Sequence, residues 1–200
     1  MNILAHGYLS DRNDGFLIGN FIGDFIKGDP ANPRHKLREE EIAGVRLHRV
    51  IDSFTDSHPD VAAVRALLHP RCHKYAGVAV DVFFDHFLAR QFGSLTGETL
   101  DDFTAFFYTS LRRLSPRFPA SANRMLDAMI RYDWVRSYQT LDGIDRSLKG
   151  ISRRTAFPSG LDTAIVDLER YYEPIYAHFT GFWPELAEHI SQLRKTILFA

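Results

Sequence analysis

One cysteine in 200 residues, Cys72, excludes an internal disulfide and a Cys-rich zinc site. It sits between Arg71 and His73 in a stretch, PRCHK, that reads as a basic turn, so we expect a surface thiol. Net charge is nearly absent as well. A balance of −1 at pH 7 and a pI of about 6.8 provide no global field to favour nucleic acid or a membrane surface. No window approaches the roughly 18 uninterrupted apolar residues of a spanning helix, and no basic region followed by an apolar run of signal length opens the chain. A cytoplasmic protein without nucleic-acid or membrane partners is the expectation. Also missing are G-x-x-x-x-G-K-[ST], G-x-G-x-x-G after a strand, G-x-S-x-G and H-E-x-x-H, which removes the common nucleotide, serine-hydrolase and metalloprotease readings. Few segments carry the β-branched alternation of a strand.

What is present is helical periodicity and aromatic bulk. With 45% hydrophobic residues, 16 Phe and 8 Tyr, the core or a cleft must be built largely from rings. We read one all-α domain over residues 1–200. Helices are expected over the segment Phe16 to Asp29, from Glu39 to about Ser57, over DVAAVRALLH, over Val78 to Phe92, from Glu98 to Leu114 with Thr96 or Thr99 as cap, from Ala120 to Tyr132, and from Asp142 to Arg154. Two more follow, Leu161 to Phe179 and Trp183 to Leu198, with Pro184 starting the last. Gly19 and Gly23 interrupt the segment Phe16 to Asp29 at a cost of about 1 kcal/mol each relative to alanine, which suggests that a neighbour approaches the backbone closely there.

The stretch VAVDVFFDHFLARQF, Val78 to Phe92, organises the chain. Asp81 and Asp85, at i and i+4, share a face of a helix that Val82, Phe83, Phe84, Phe87 and Leu88 must bury. Two carboxylates in an apolar setting call for a positive partner, an arginine or a metal ion. His48/Asp52 and Asn20/Asp24 repeat the one-turn spacing on two other helices. Histidine and aspartate are the donors that helical bundles offer to Mn, Fe or Mg, and a set dominated by carboxylates favours Mn²⁺ or Mg²⁺ over zinc. The competing reading is a buried salt-bridge network answered by Arg46, Arg49 or Arg90. A metal-carboxylate site suits hydrolysis of a phosphate ester, and Arg49 with the pair Arg153–Arg154 are the candidates to hold phosphoryl oxygens.

Four motifs and a later S-R-R then occur in a telling order: MNILAH at the start, L-I-G-N-F-I-G-D-F-I-K-G (Leu17 to Gly28), H-R-V-I-D (His48 to Asp52), D-V-F-F-D-H-F-L (Asp81 to Leu88) and Ser152 to Arg154. The chain resembles the bacterial acyl carrier protein phosphodiesterase family, or ACP hydrolases. The resemblance implies removal of the 4′-phosphopantetheine arm from holo acyl carrier protein, dependence on manganese (with Mg²⁺ or Fe²⁺ as alternatives), and a fold like a distant, rearranged HD-type phosphohydrolase. It points to Asp24, His48, Asp52, Asp81 and Asp85 as metal ligands, and to His86 or His6 as donor of the proton to the departing oxygen. One departure stands out. HD-type sites place His before Asp, whereas here the adjacent pair is Asp85–His86, and consecutive helical residues point about 100° apart. Since a carrier protein is acidic, a basic docking patch is expected at Arg34, His35, Lys36 and Arg38, with Arg71, His73 and Lys74 next. The rival functions are an HD-like hydrolase of nucleotides and a non-enzymatic helical module that binds an acidic partner.

Overall fold

A computed structural model describes residues 2–198, and of residues 196–198 the backbone alone; Met1 of the MNILAH motif lies outside the described residues. The described residues form an all-α domain with no strand. Its helices are α1 (Ile3–Tyr8), α2 (Asp14–Ile22), α3 (Glu39–Ser57), α4 (Pro59–Cys72), α5 (Ala76–Arg90), α6 (Phe92–Thr96), α7 (Leu100–Leu114), α8 (Ala120–Arg131), α9 (Trp134–Ser137), α10 (Leu141–Ser152), α11 (Ile165–Arg170) and α12 (Tyr172–Leu198). Asn13, Thr99 and Thr140 cap α2, α7 and α10 by accepting from backbone amides of the first turn. None of the helices is long and apolar enough to cross a membrane.

α5 is the axis of the core. Phe83, Phe84, Phe87 and Leu88 are fully or almost fully buried. Phe84 packs on Phe179 and Phe182 of α12 at ring separations of 5.6 and 5.3 Å. A second aromatic group, Phe92, Phe103 and Phe107, joins α6 to α7. Each such ring buries enough apolar area to contribute about 2 kcal/mol or more, so the middle of the chain is held by non-directional packing.

The seam between α2 and α3 is different, because it is made by omission of side chains. A Cβ at Gly19 would lie 2.2 Å from the Glu41 carbonyl oxygen, and one at Gly23 would lie 2.3 Å from the His48 ring. Both glycines thus allow the close approach their sequence position suggested. Gly23 ends α2 and opens a 3₁₀ turn, Gly23–Phe25, so the expected helix stops well before Asp29.

Three other expectations are corrected. Helix α4 runs through Pro70 to Cys72 instead of stopping before a basic turn, and Cys72 is fully buried, so burial pushes its thiol up to about 11. The segment beginning at Leu161 is a 3₁₀ turn and the short α11, ending at Arg170. Helix α12 then continues through Pro184 without a break. A proline inside a helix costs about 3 kcal/mol, through a lost hydrogen bond and a clash with the preceding turn, and burial of Phe179, Phe182, Trp183 and Leu186 on both sides of it offsets that cost.

Candidate metal centre

The glycine seam leads directly to the site. Since Gly23 has no side chain, the His48 ring from α3 lies over the end of α2, beside Asp24 in the 3₁₀ turn and Asp52 one turn further along α3. The short helix α1 brings His6 to the same point, its ring centroid 4.4 Å from that of His48. Asp52 lies between the two rings. Its carboxylate oxygens stand 3.1 Å from His6 Nε2 and 3.1 Å from His48 Nε2, and Asp24 Oδ1 stands 3.5 Å from the latter. Ligand atoms of His6, His48 and Asp52 all lie within 4.8 Å of one another.

Electrostatics ties these groups together. Burial raises the Asp52 carboxyl, but the close approach of the His48 and His6 rings more than offsets this and holds it well below the usual range. Burial lowers His48, yet Asp24 and Asp52 bring it to about 9. Asp24, its side chain 82% exposed, is lowered chiefly by its bond with the His48 ring. His6 is lowered, burial being the largest cause. A divalent cation fits this donor set on two observations. Both ring nitrogens of His48 are buried without a well-aligned hydrogen-bond partner, although Nε2 has a carboxylate oxygen at 3.1 Å. Two imidazoles and two carboxylates from three separate segments also converge, which is the donor chemistry of transition-metal and manganese sites.

The cluster opens into a cleft of about 1080 Å³. Asp81 lines it, half-buried, with its carboxyl raised by burial. Arg146, Lys149, Arg153 and Arg154, from α10 and the residues after it, line it too, as do the aromatic Phe21, Tyr132 and Trp134. Lys149 is paired with Asp145. The sequence reading missed Arg146; its spacing of seven from Arg153 along one helix face was the available signal.

Three residues grouped with the site by sequence are held elsewhere. Asp85 is fully buried and accepts from the backbone amides of Asn2, Leu4 and Ala5 at 3.2, 2.9 and 3.4 Å, so it satisfies the otherwise unpaired donors at the start of α1. Burial pushes its carboxyl up to about 7 even though those amides oppose the shift. His86, also fully buried, bonds through Nδ1 to the Tyr138 carbonyl at 2.7 Å and through Nε2 to the Tyr172 hydroxyl at 3.0 Å; it is not among the residues lining the cleft. Arg49 donates to the carbonyls of Ile26 and Gly28, fastening the loop after the 3₁₀ turn. The stretches around Arg34 and Arg71 do not line the cleft either, and Arg71 is bound to Asp167 at 2.6 Å.

Comparison with known proteins agrees with the motif order. The family described as acyl carrier protein phosphodiesterase matches residues 1–186. The chain belongs to the acyl carrier protein phosphodiesterase family. Among its relatives carrying that name, one from Photorhabdus laumondii is 31% identical over 191 residues, covering 94% of each chain. Another, from Enterobacter sp. (strain 638), is 29% identical over 187 residues, covering 93% of this chain and 95% of the relative. A third, from Escherichia coli O45:K1, is 28% identical over 193 residues, covering 96% and 98%. No solved structure matches the chain. The match runs over nearly the full length of the chain, which is an enzyme of this family.

Proposed function

We propose that this protein is a metal-dependent phosphodiesterase that cleaves the 4′-phosphopantetheine arm from holo acyl carrier protein and leaves the apo form. The observation that carries the reading is the convergence of His6, His48, Asp24 and Asp52 in a cleft also lined by Arg146, Arg153 and Arg154, in a chain of this family. A divalent cation, Mn²⁺ by preference, would be held by these histidines and aspartates and would supply Lewis-acid stabilisation and an acidified water. The rest is the work of the chain's own residues. Arg146, Arg153 and Arg154 hold the non-bridging phosphoryl oxygens through charge-assisted hydrogen bonds. Asp52, 3.1 Å from Nε2 of each ring, places a carboxylate between the two imidazoles before substrate arrives. Phe21, Met125 and Trp134 give the cleft an apolar wall against which an extended prosthetic arm can lie. The volume, about 1080 Å³, is ample for such an arm and exceeds what a phosphate alone requires.

Intact-mass analysis of holo acyl carrier protein, incubated with the protein and Mn²⁺, tests the reading. The expected result is a mass loss equal to one phosphopantetheine, abolished by chelator and by His48→Ala. Hydrolysis of nucleotides in place of this conversion would move the substrate to the nucleotide rival.

A further inference from the structure

Asn20 stands behind the metal cluster, 2% exposed on α2, and every polar atom of its amide is engaged. Its Nδ2 donates to the His6 carbonyl at 2.8 Å and to Ser10 Oγ at 3.1 Å, while Oδ1 lies 2.6 Å from His6 Nδ1. The orientation of this amide follows from its partners. Turned over, it would set Oδ1 against the His6 carbonyl oxygen, acceptor against acceptor, at a buried position. The Ser10 hydroxyl reinforces the assignment, because its own proton is given to the same His6 carbonyl at 2.9 Å and only a lone pair remains for Asn20. With Nδ2 spent on two acceptors, Oδ1 can do nothing but accept, and His6 Nδ1 must carry a proton.

That proton has a consequence on the other side of the ring. A neutral imidazole has one N–H, so Nε2 of His6 presents its lone pair to the cluster. There it meets an Asp52 oxygen at 3.1 Å, another acceptor. Two lone pairs at that distance are unfavourable unless a positive charge lies within reach of both, and His48 Nε2, 3.1 Å from the other Asp52 oxygen, faces the same point. From this network we infer that Asn20 is a positioning residue: it locks His6 in the Nδ1–H form, which makes His6 a ligand of a divalent cation through Nε2 and not the donor of a proton to the departing oxygen. The inference rests on the metal-site reading proposed above but not on the identity of the substrate. Outer hydrogen bonds of this kind are worth about 10- to 100-fold in metal affinity.

The test uses the full chain with ¹⁵N-labelled histidine, Zn²⁺ as a diamagnetic probe, and His6→Gln to assign the ring. In the wild type, the His6 Nδ1 signal is expected in the protonated range and Nε2 in the bare range before metal is added, with Nε2 shifting on titration of Zn²⁺. Asn20→Leu, which matches the shape but cannot accept, should weaken Zn²⁺ binding by about 10-fold or more and release the tautomer. A wild-type ring protonated at Nε2 would overturn the inference without recourse to any variant, as would unchanged Zn²⁺ affinity in a folded Asn20→Leu protein. Loss of holo carrier hydrolysis as an activity, with these metal and tautomer results intact, would count against the substrate assignment alone.

Discussion

Two places in this molecule carry aspartate and histidine side chains on helices, and they have opposite fates. On α3, His48 and Asp52 face a cleft, and partners from α1 and the turn after α2 converge on them. On α5, Asp85 and His86 point into the interior and are satisfied by backbone groups and a tyrosine hydroxyl. Buried polarity on a helix is therefore not a mark of chemistry. What separates the two is whether the partners are fixed protein dipoles, which complete the hydrogen bonding, or other acids and imidazoles, which leave it incomplete and open to a cation.

The comparison is broken most directly by exchanging the fates. Asp52→Ala should reduce conversion of holo carrier protein about 10²- to 10³-fold if the cluster serves the transition state as proposed, with the loss seen chiefly in turnover. Asp85→Ala should do the reverse. Three amides at the start of α1 lose their acceptor in a dry environment, at about 1–3 kcal/mol for each left unsatisfied, so urea unfolding should show a loss of roughly 3 kcal/mol or more. A stable Asp85→Ala protein that had lost metal binding would instead return Asp85 to the site. His86→Leu comes next, with about 1–3 kcal/mol lost as the Tyr138 carbonyl goes unpaired, and turnover of the folded fraction preserved.

The smallest effect concerns another buried carboxylate, answered by a guanidinium. Glu41 is 2% exposed and accepts from Arg117 Nε at 2.8 Å and from the Arg38 amide at 2.7 Å. Burial pushes this carboxyl up, but Arg117 and the amide outweigh it and hold it below its ordinary 4.5. A depressed native pKa stabilises the fold fully above the ordinary value and loses that contribution as pH falls through the native one. The difference in unfolding free energy between the wild type and Glu41→Gln should thus shrink between about pH 6 and pH 3. A difference independent of pH would show that packing, not charge, holds Glu41.

Much of this was legible in the residues themselves. Helical periodicity and the acidic start at Glu39 gave the all-α class and the bounds of α3, because local hydrogen bonding and capping decide them. Gly19 and Gly23 announced a close approach, since nothing else justifies their cost inside a helix. The pairing of His48 with Asp52 also followed from spacing along one helix. Spacing fails where a partner comes from far along the chain. That His6 reaches His48, that Asn20 turns inward to hold it while Asp24 turns outward, and that Asp85 serves α1 all depend on how α1 lies between α2 and α5. An aspartate on a buried helix has the same local signature whether it meets a metal ion or an amide, because its desolvation is the same. Only the tertiary structure brings up the group that compensates it, and with that group the choice between a ligand and a cap.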